Sequence, residues 1–236
     1  MARTQPPQQP PPVQRVRVHY VKQGPVRFAS HRDLSRVLER ALRRADVPMA
    51  YSSGFNPHPR ISYAGAAPTG AASQAEFLEL ALRARVDPEL LREALNRVLP
   101  SGCRIVRVVE SDGTSLMDRL QASHWEIRLP GADQPVLAQA CVELLGRAQV
   151  MVSRLTKNGE RRFDVREAVI RLNAETDRIC AVLRHGEPLV RPNDLVGALL
   201  VVRPGLLGPE PVILANRLAQ GPLTDGRVGD PLLSED

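Results

Sequence analysis

The spacing of apolar residues changes period within the first fifty positions, and that change limits what the chain can fold into. Residues 15–21 alternate as Arg15-Val16-Arg17-Val18-His19-Tyr20-Val21, a strand with one buried face. From Leu34 the period lengthens. Leu34, Val37, Leu38, Ala41, Leu42 and Ala45 recur at helical spacing and form one buried stripe. Ser30 and Asp33 open this helix as S-x-x-D: the hydroxyl can cap a backbone N–H, and the carboxylate suits the positive end of the helix dipole. Strands are expected at 60–64 and 75–82, with Pro68-Thr69-Gly70 as a turn between them. A second helix opens at Asp87 or Pro88 and buries Leu90, Leu91, Ala94, Leu95 and Val98; a strand at 103–110 follows. The order is β-α-β-β-α-β, the ferredoxin-like pattern of four antiparallel strands with two helices on one face.

The second half is less regular. It reads as a strand at 124–129, a helix at 134–148, a hairpin with arms at 150–155 and 162–170, a strand at 178–184 and a short helix at 192–200. The expected fold class is therefore α+β, with tandem ferredoxin-like units built on antiparallel sheets and the second unit irregular. The expected boundaries are a disordered Pro/Gln-rich tail at 1–14, a first unit at 15–112, a second at 120–205, and a mostly irregular C-terminal tail at 206–236.

Composition narrows the function classes. The net charge is +6, which suits a polyanion partner such as RNA. The 32 basic residues divide into 30 Arg and 2 Lys, so a GC-rich genome accounts for part of the skew. Arg32, Arg36, Arg40 and Arg43 fall opposite the apolar stripe of the first helix, at about 100° per residue, and read as a solvated face. Cys103, Cys141 and Cys180 are far apart with no CxxC pair. That argues against a zinc ribbon or an iron–sulfur cluster on this chain alone, and fits a reducing, cytoplasmic setting. No apolar run is long enough to span a membrane, and the Pro/Gln-rich start is unlike a signal peptide, so no membrane partner is expected.

Chemistry concentrates in two segments, residues 27–34 and 51–60. They hold Phe28, Tyr51 and Phe55, three of the seven Phe and Tyr residues, and His31 and His58, two of the five histidines. His31 sits at the helix N-terminus, turned towards Leu38 and Leu42; with Ser30 and Arg27 it would suit a phosphate. Gly54, Pro57 and Pro59 make the second segment a rigid loop. Lys22-Gln-Gly-Pro-Val-Arg-Phe28 and Lys157-Asn-Gly-Glu-Arg-Arg-Phe163 share the pattern K-x-G-x-x-R-F. This hints at a duplicated hairpin turn whose cations either grip an anion or are solvated.

The strings R-F-x-S-H-x-D-L from Arg27, E-R-A-L-R-R-A from Glu39 and Y-S-x-G-F-N-P-H-P-R-I-S from Tyr51 resemble the radical-SAM-associated domain-of-unknown-function family. The resemblance covers roughly residues 15–205. It places Arg27, Phe28, Ser30, His31, Asp33, Tyr51, Ser52, Gly54, Phe55, Asn56, Pro57, His58 and Pro59 on the family signature. Lys157, Gly159, Asp164, Arg166 and Arg191-Pro192 fall on a weaker pattern. It implies that the chain is the stand-alone partner of a cobalamin-binding radical SAM protein. Iron–sulfur cluster, S-adenosylmethionine and cobalamin are then expected only on that partner, with no cofactor on this chain. His31, His58 and Asp33 are reasonable zinc ligands by type, but no ligand spacing supports a site, so no metal is assigned.

Three functions follow. The first is a non-catalytic accessory protein that binds RNA or presents a substrate to the radical SAM partner, using Lys22, Arg27, Phe28, Ser30, His31, Asp33, Tyr51, Ser52, Phe55, Asn56, Pro57, His58, Arg60, Lys157, Asp164 and Arg166. The second is a metal-independent endoribonuclease, with His31 and His58 as acid and base and Tyr51 or Arg27 stabilising charge. The third is a pure protein-interaction module anchored by Phe55.

Overall fold

A computed structural model describes residues 8–157 and 159–233. Among these residues the structure is mixed α+β, with five α-helices and antiparallel strands. The chain gathers into two compact units. The first comprises the residues up to Thr69, Ser73–Met117 and the last described residues from Leu232; the second comprises Gly70–Ala72 and Asp118–Pro231.

In the first unit the order is β1 (Gln14–Lys22), α1 (His31–Arg44), β2 (Ile61–Ala64), β3 (Ala72–Leu82), α2 (Pro88–Val98) and β4 (Cys103–Glu110). The strands lie in the order β4-β1-β3-β2, each antiparallel to its neighbour. Val16, Val18 and Tyr20 of β1 and Leu78, Leu80 and Leu82 of β3 bury one face against Leu34, Leu38, Ala41 and Leu42 of α1 and Leu91 and Leu95 of α2. Each buried leucine contributes about 1.5–3 kcal/mol. Asp87 caps α2 by accepting from the Glu89 and Leu90 N–H groups at 2.8 and 3.1 Å. Leu90, assigned from spacing to the apolar face, is instead 62% exposed.

After a short helix, α3 (Leu116–Arg119), the second unit runs β5 (Ala122–Arg128), α4 (Gln134–Gly146), β6 (Met151–Thr156), β7 (Gly159–Asp164), β8 (Val169–Glu175), β9 (Arg178–Arg184), α5 (Pro192–Val202) and β10 (Leu214–Gly221). Two minimal strands follow, β11 (Leu223–Thr224) and β12 (Arg227–Val228). The strands order as β10-β5-β9-β8, again antiparallel. β6 and β7 pair only with each other, as a hairpin inserted between α4 and β8.

Several sequence expectations change here. The arm read at 162–170 is two elements, because a 3₁₀ turn at Arg166–Ala168 separates β7 from β8. The stretch read as an irregular tail contains β10. Its buried positions include Ala215, Arg217, Gln220 and Gly221, so it carries none of the apolar alternation that marks a strand. Gln14, read as tail, begins β1; its buried amide donates to the Val86 carbonyl and accepts from the Val86 N–H. Residues 1–7, expected to be disordered, lie outside the described residues.

β1 is buried on both faces, not one. Arg17, on the face away from the helices, is 1% exposed. Its guanidinium meets Asp112 at 2.7 Å and the Thr114 hydroxyl at 3.0 Å, and lies 3.8 Å from Glu79, its cross-strand partner on β3. Glu79 also binds Arg15 at 2.9 Å and the Ser111 hydroxyl at 2.8 Å. Hydrogen bonds from the Thr114 hydroxyl and amide, with the Arg17 charge, hold the Asp112 carboxyl well below the usual carboxylate range. A carboxylate depressed by folding adds stability that is full above its unfolded pKa, near 4, shrinks as pH falls below it, and is gone only once pH passes the still lower folded pKa. Asp112→Asn is therefore expected to lower the urea midpoint clearly at pH 7 and by a smaller amount at pH 3, where the unfolded carboxyl has begun to protonate and the folded one has not. Equal losses at both pH values would contradict this account.

Candidate functional site

The first motif segment is built from the end of β1. Residues Gly24–Phe28 form a 3₁₀ turn, not the hairpin turn expected, with Gly24 at φ 52°. Gln23 donates its N–H to the Gly102 carbonyl at 2.8 Å, and a Cβ on Gly102 would stand 2.5 Å from the Gln23 oxygen. Only glycine permits that approach, which fixes where the segment leaves the sheet. Phe28 emerges 60% exposed, with the Arg27 guanidinium 4.6 Å above its ring. Ser30 caps α1: its Oγ accepts from the Asp33 N–H at 3.2 Å and donates to the Asp33 carboxylate at 2.7 Å.

The second segment is a loop closed on itself. At its base, Ala50 N–H donates to Ala81, Ala81 N–H to Arg60 and Arg60 N–H to Ala50, so both ends are sewn to β3. Higher up, Tyr51 bridges Pro59, Ser52 N–H donates to the His58 carbonyl at 2.9 Å, and His58 N–H returns to Ser52 Oγ at 3.0 Å. Gly54 turns the tip at φ 118°. Ser53 Oγ accepts from the Gln9 N–H at 2.9 Å, so the Pro/Gln-rich segment reaches this loop. Phe55, Asn56, Pro57 and His58 are left exposed, Phe55 at 58% and Tyr51 at 38%; Ser52 and Arg60 are half-buried. The loop's backbone is satisfied internally while its largest side chains face outwards.

One contact ties the first segment to the strand that follows the second. The His31 ring meets Tyr63 of β2 edge-on, with centroids 5.0 Å apart. Ser35 Oγ donates to the His31 carbonyl at 2.9 Å and lies 3.2 Å from His31 Nδ1. His31 leans on the fold as expected, yet the residue remains exposed. Burial pushes the Tyr63 phenol up, partly offset by the nearby Ser35 hydroxyl, and the Glu39 charge adds to the rise. The phenol oxygen is shut off from solvent without a well-formed hydrogen bond. β2 also edges a cleft of about 270 Å³, lined by Ser62, Tyr63, Ala64, Glu79 and the segment from Thr114 to Met117.

The match to known families falls on this region. A bacterial family described as uncharacterized conserved proteins, DUF2344, matches residues 15–192, from the start of β1 to the first residue of α5. The chain belongs to DUF2344. A search of the curated proteins finds no match. The matched span includes both motif segments of this DUF2344 chain.

Other predicted residues stand apart from them. Lys22 is 2% exposed, and its Nζ donates to the Ala67 and Pro68 carbonyls at 3.2 and 3.3 Å. The Ala67 N–H in turn faces the buried Glu76 carboxylate. Lys22 thus braces a loop from inside and does not open towards an anion. Asp164 accepts from the Val150 and Arg166 N–H groups, and Arg166 donates to the Leu145 and Val169 carbonyls; both hold local backbone. Lys157 is exposed at the end of the β6–β7 hairpin. The K-x-G-x-x-R-F pair is not a structural repeat. Lys22 ends a central strand and is buried, whereas Lys157 ends an inserted hairpin; Phe28 is exposed and Phe163 is 6% exposed.

Among the described residues no group of three or more His, Cys, Asp or Glu side chains could hold a metal ion, and His31, Asp33 and His58 form no such group. Burial pushes the Cys103 and Cys141 thiols up to about 12 and about 11, with Glu76 adding to the rise at Cys103. Tyr63 and the Arg17–Glu79 network escaped the sequence reading. A strand position opposite a carboxylate was the available signal for the second, and none marked the first. Nor did the sequence reveal His185, whose ring lies 2.6 Å from both Ser123 Oγ and the Leu120 carbonyl. Ser123 is 2% exposed, so that pair holds the fold.

Ser52→Ala removes one of the two rungs that close the loop. Hydrogen exchange should quicken at His58 and across the tip, while global stability falls by about 1 kcal/mol or less. Unchanged exchange at His58 would show that the hydroxyl does not hold the loop.

Proposed function

We propose that the protein is a non-catalytic accessory subunit of a cobalamin-binding radical SAM protein, docking through the 51–60 loop and presenting a substrate to that partner. One observation carries this reading. Of the eight aromatic residues, only Phe28, Tyr51 and Phe55 are exposed, and all three lie in the two motif segments. Exposed aromatics on a backbone-clamped loop contribute little to the core and suit a rigid docking anchor. Iron–sulfur cluster, S-adenosylmethionine and cobalamin belong, in this reading, to the partner; three unpaired cysteines suit a cytoplasmic complex. No helix among the described residues is long and apolar enough to cross a membrane.

In architecture we infer two ferredoxin-like units. The support is that β4-β1-β3-β2 and β10-β5-β9-β8 are the same order by position, the first strand of each in chain order lying between the fourth and the third. The inserted hairpin is what makes the second unit irregular. The endoribonuclease reading draws less support. His31 has its Nδ1 engaged with Ser35 and its ring against Tyr63, and no hydrogen bond links it to His58.

Co-purification tests the docking role. Wild-type chain should recover a cobalamin-binding radical SAM protein, and Phe55→Ala should reduce recovery by about ten-fold or more, the scale of a buried aromatic anchor. Full recovery with Phe55→Ala would remove the loop from the interface.

A further inference from the structure

We propose that the exposed face of α1 is a track for a single-stranded polynucleotide, which makes nucleic acid the substrate class of the accessory reading above; the inference rests on that reading. α1 carries five arginines, Arg32, Arg36, Arg40, Arg43 and Arg44, against two acids, Asp33 and Glu39. All five arginines are exposed. Arg32, Arg36, Arg40 and Arg43 lie within about 80° of arc around the helix, at about 100° per residue. With a rise of about 1.5 Å per residue they span about 16 Å along the axis, and Arg32, Arg36 and Arg40 follow one another at about 6 Å.

The charge on this face is poorly neutralised. Arg36 stands 3.7 Å from Asp33 with both side chains about 60% exposed, and Arg43 Nε reaches only the Glu39 carbonyl, at 3.4 Å. Arg32, Arg40 and Arg44 make no ion pair among the described residues. Exposed Arg15, by contrast, meets Glu79 at 2.9 Å. A row of guanidinium groups with at most one long, exposed ion pair attracts phosphates by charge and by bidentate hydrogen bonding.

A second, independent feature points to single strands. The stripe begins close in sequence to one exposed aromatic. Phe28 is two residues before the Ser30 cap, and the His31–Tyr63 contact brings the strand that follows the 51–60 loop to the same helix end. Single-strand binders combine a basic track for the backbone with aromatic faces on which unpaired bases stack. Here phosphates would run along Arg32, Arg36, Arg40 and Arg43, and a base would stack on Phe28, which stays 60% exposed beside Arg27. A duplex keeps its bases paired and cannot use such a face.

The test is fluorescence anisotropy of the full chain with labelled single-stranded RNA and DNA of mixed sequence and with duplex RNA, across a salt series. Single strands should bind more tightly than duplex. R32Q/R36Q/R40Q should weaken binding by about ten-fold or more and flatten the log–log salt slope by about 2, at about 0.7 per lost phosphate contact. Phe28→Ala should weaken binding and leave the slope unchanged, since stacking releases no counterion. R147Q/R161Q/R162Q removes the same charge from exposed positions of the second unit and should leave affinity near wild type. Gln keeps helix propensity high, and far-UV circular dichroism checks that α1 persists.

No binding at low salt, equal binding of duplex, or equal loss in both triple variants overturns the proposal. Partner recovery is read separately. Loss of nucleic acid with the partner retained in the α1 triple variant supports the track. Loss of the partner in Phe55→Ala with nucleic acid binding intact supports the docking loop. Either result can fail without the other.

Discussion

A guanidinium that is 1% exposed must find its counter-charges inside the protein, and Arg17 sets the back of the first unit by doing so. Asp112 and Thr114 come to it from the chain beyond β4, and Glu79 from the neighbouring strand. The first two fold the segment after β4 back across the sheet. The third places a carboxylate beneath that segment. The cleft beside β2 exists because these two surfaces are held against each other: Glu79 lines it from the sheet and the segment from Thr114 to Met117 lines it from above. β2 forms its third side and continues directly from the 51–60 loop, so the network underlies the platform from which the motif loop rises.

The first unit was largely legible in the sequence because its buried positions are apolar and periodic. The alternation of β1, the stripe of α1, the Ser30 and Asp87 caps and the 103–110 strand all correspond to observed elements. What could not be read was burial of polar residues. Arg17 and Lys22 look like solvated positions of an amphipathic strand, and they are interior because β1 is covered on both faces. The same blindness hid β10, where Arg217 is 3% exposed over the Trp125 ring and bonded to Gln220. Periodicity reports the partition of apolar side chains, and it is silent where a charge is buried with its partners.

The candidate site was legible in composition before it was legible in geometry. Aromatics are scarce in this chain, and a scarce residue type concentrated in polar, glycine- and proline-containing segments is poorly used as core. The structure gives that pattern a physical form, with Phe28 and Phe55 facing outwards from backbone that is held by its own hydrogen bonds. Tyr63, on which His31 of the first segment leans, could not be found this way. It sits in an ordinary strand pattern, and its role depends on the ring that leans on it from α1.

The inserted β6–β7 hairpin lies between α4 and β8, and the 51–60 loop lies between α1 and β2. In both units the enlarged joint is therefore the passage from the first helix to the second strand. On the two-unit architecture proposed above, the same joint has been varied twice without disturbing either run of strands, once into a proline-rich clasp and once into a ribbon. The outcomes share no sequence, which explains why the K-x-G-x-x-R-F likeness misaligns them. The two halves are comparable by place along the path of the chain, and by that measure the counterpart of the motif loop is the hairpin.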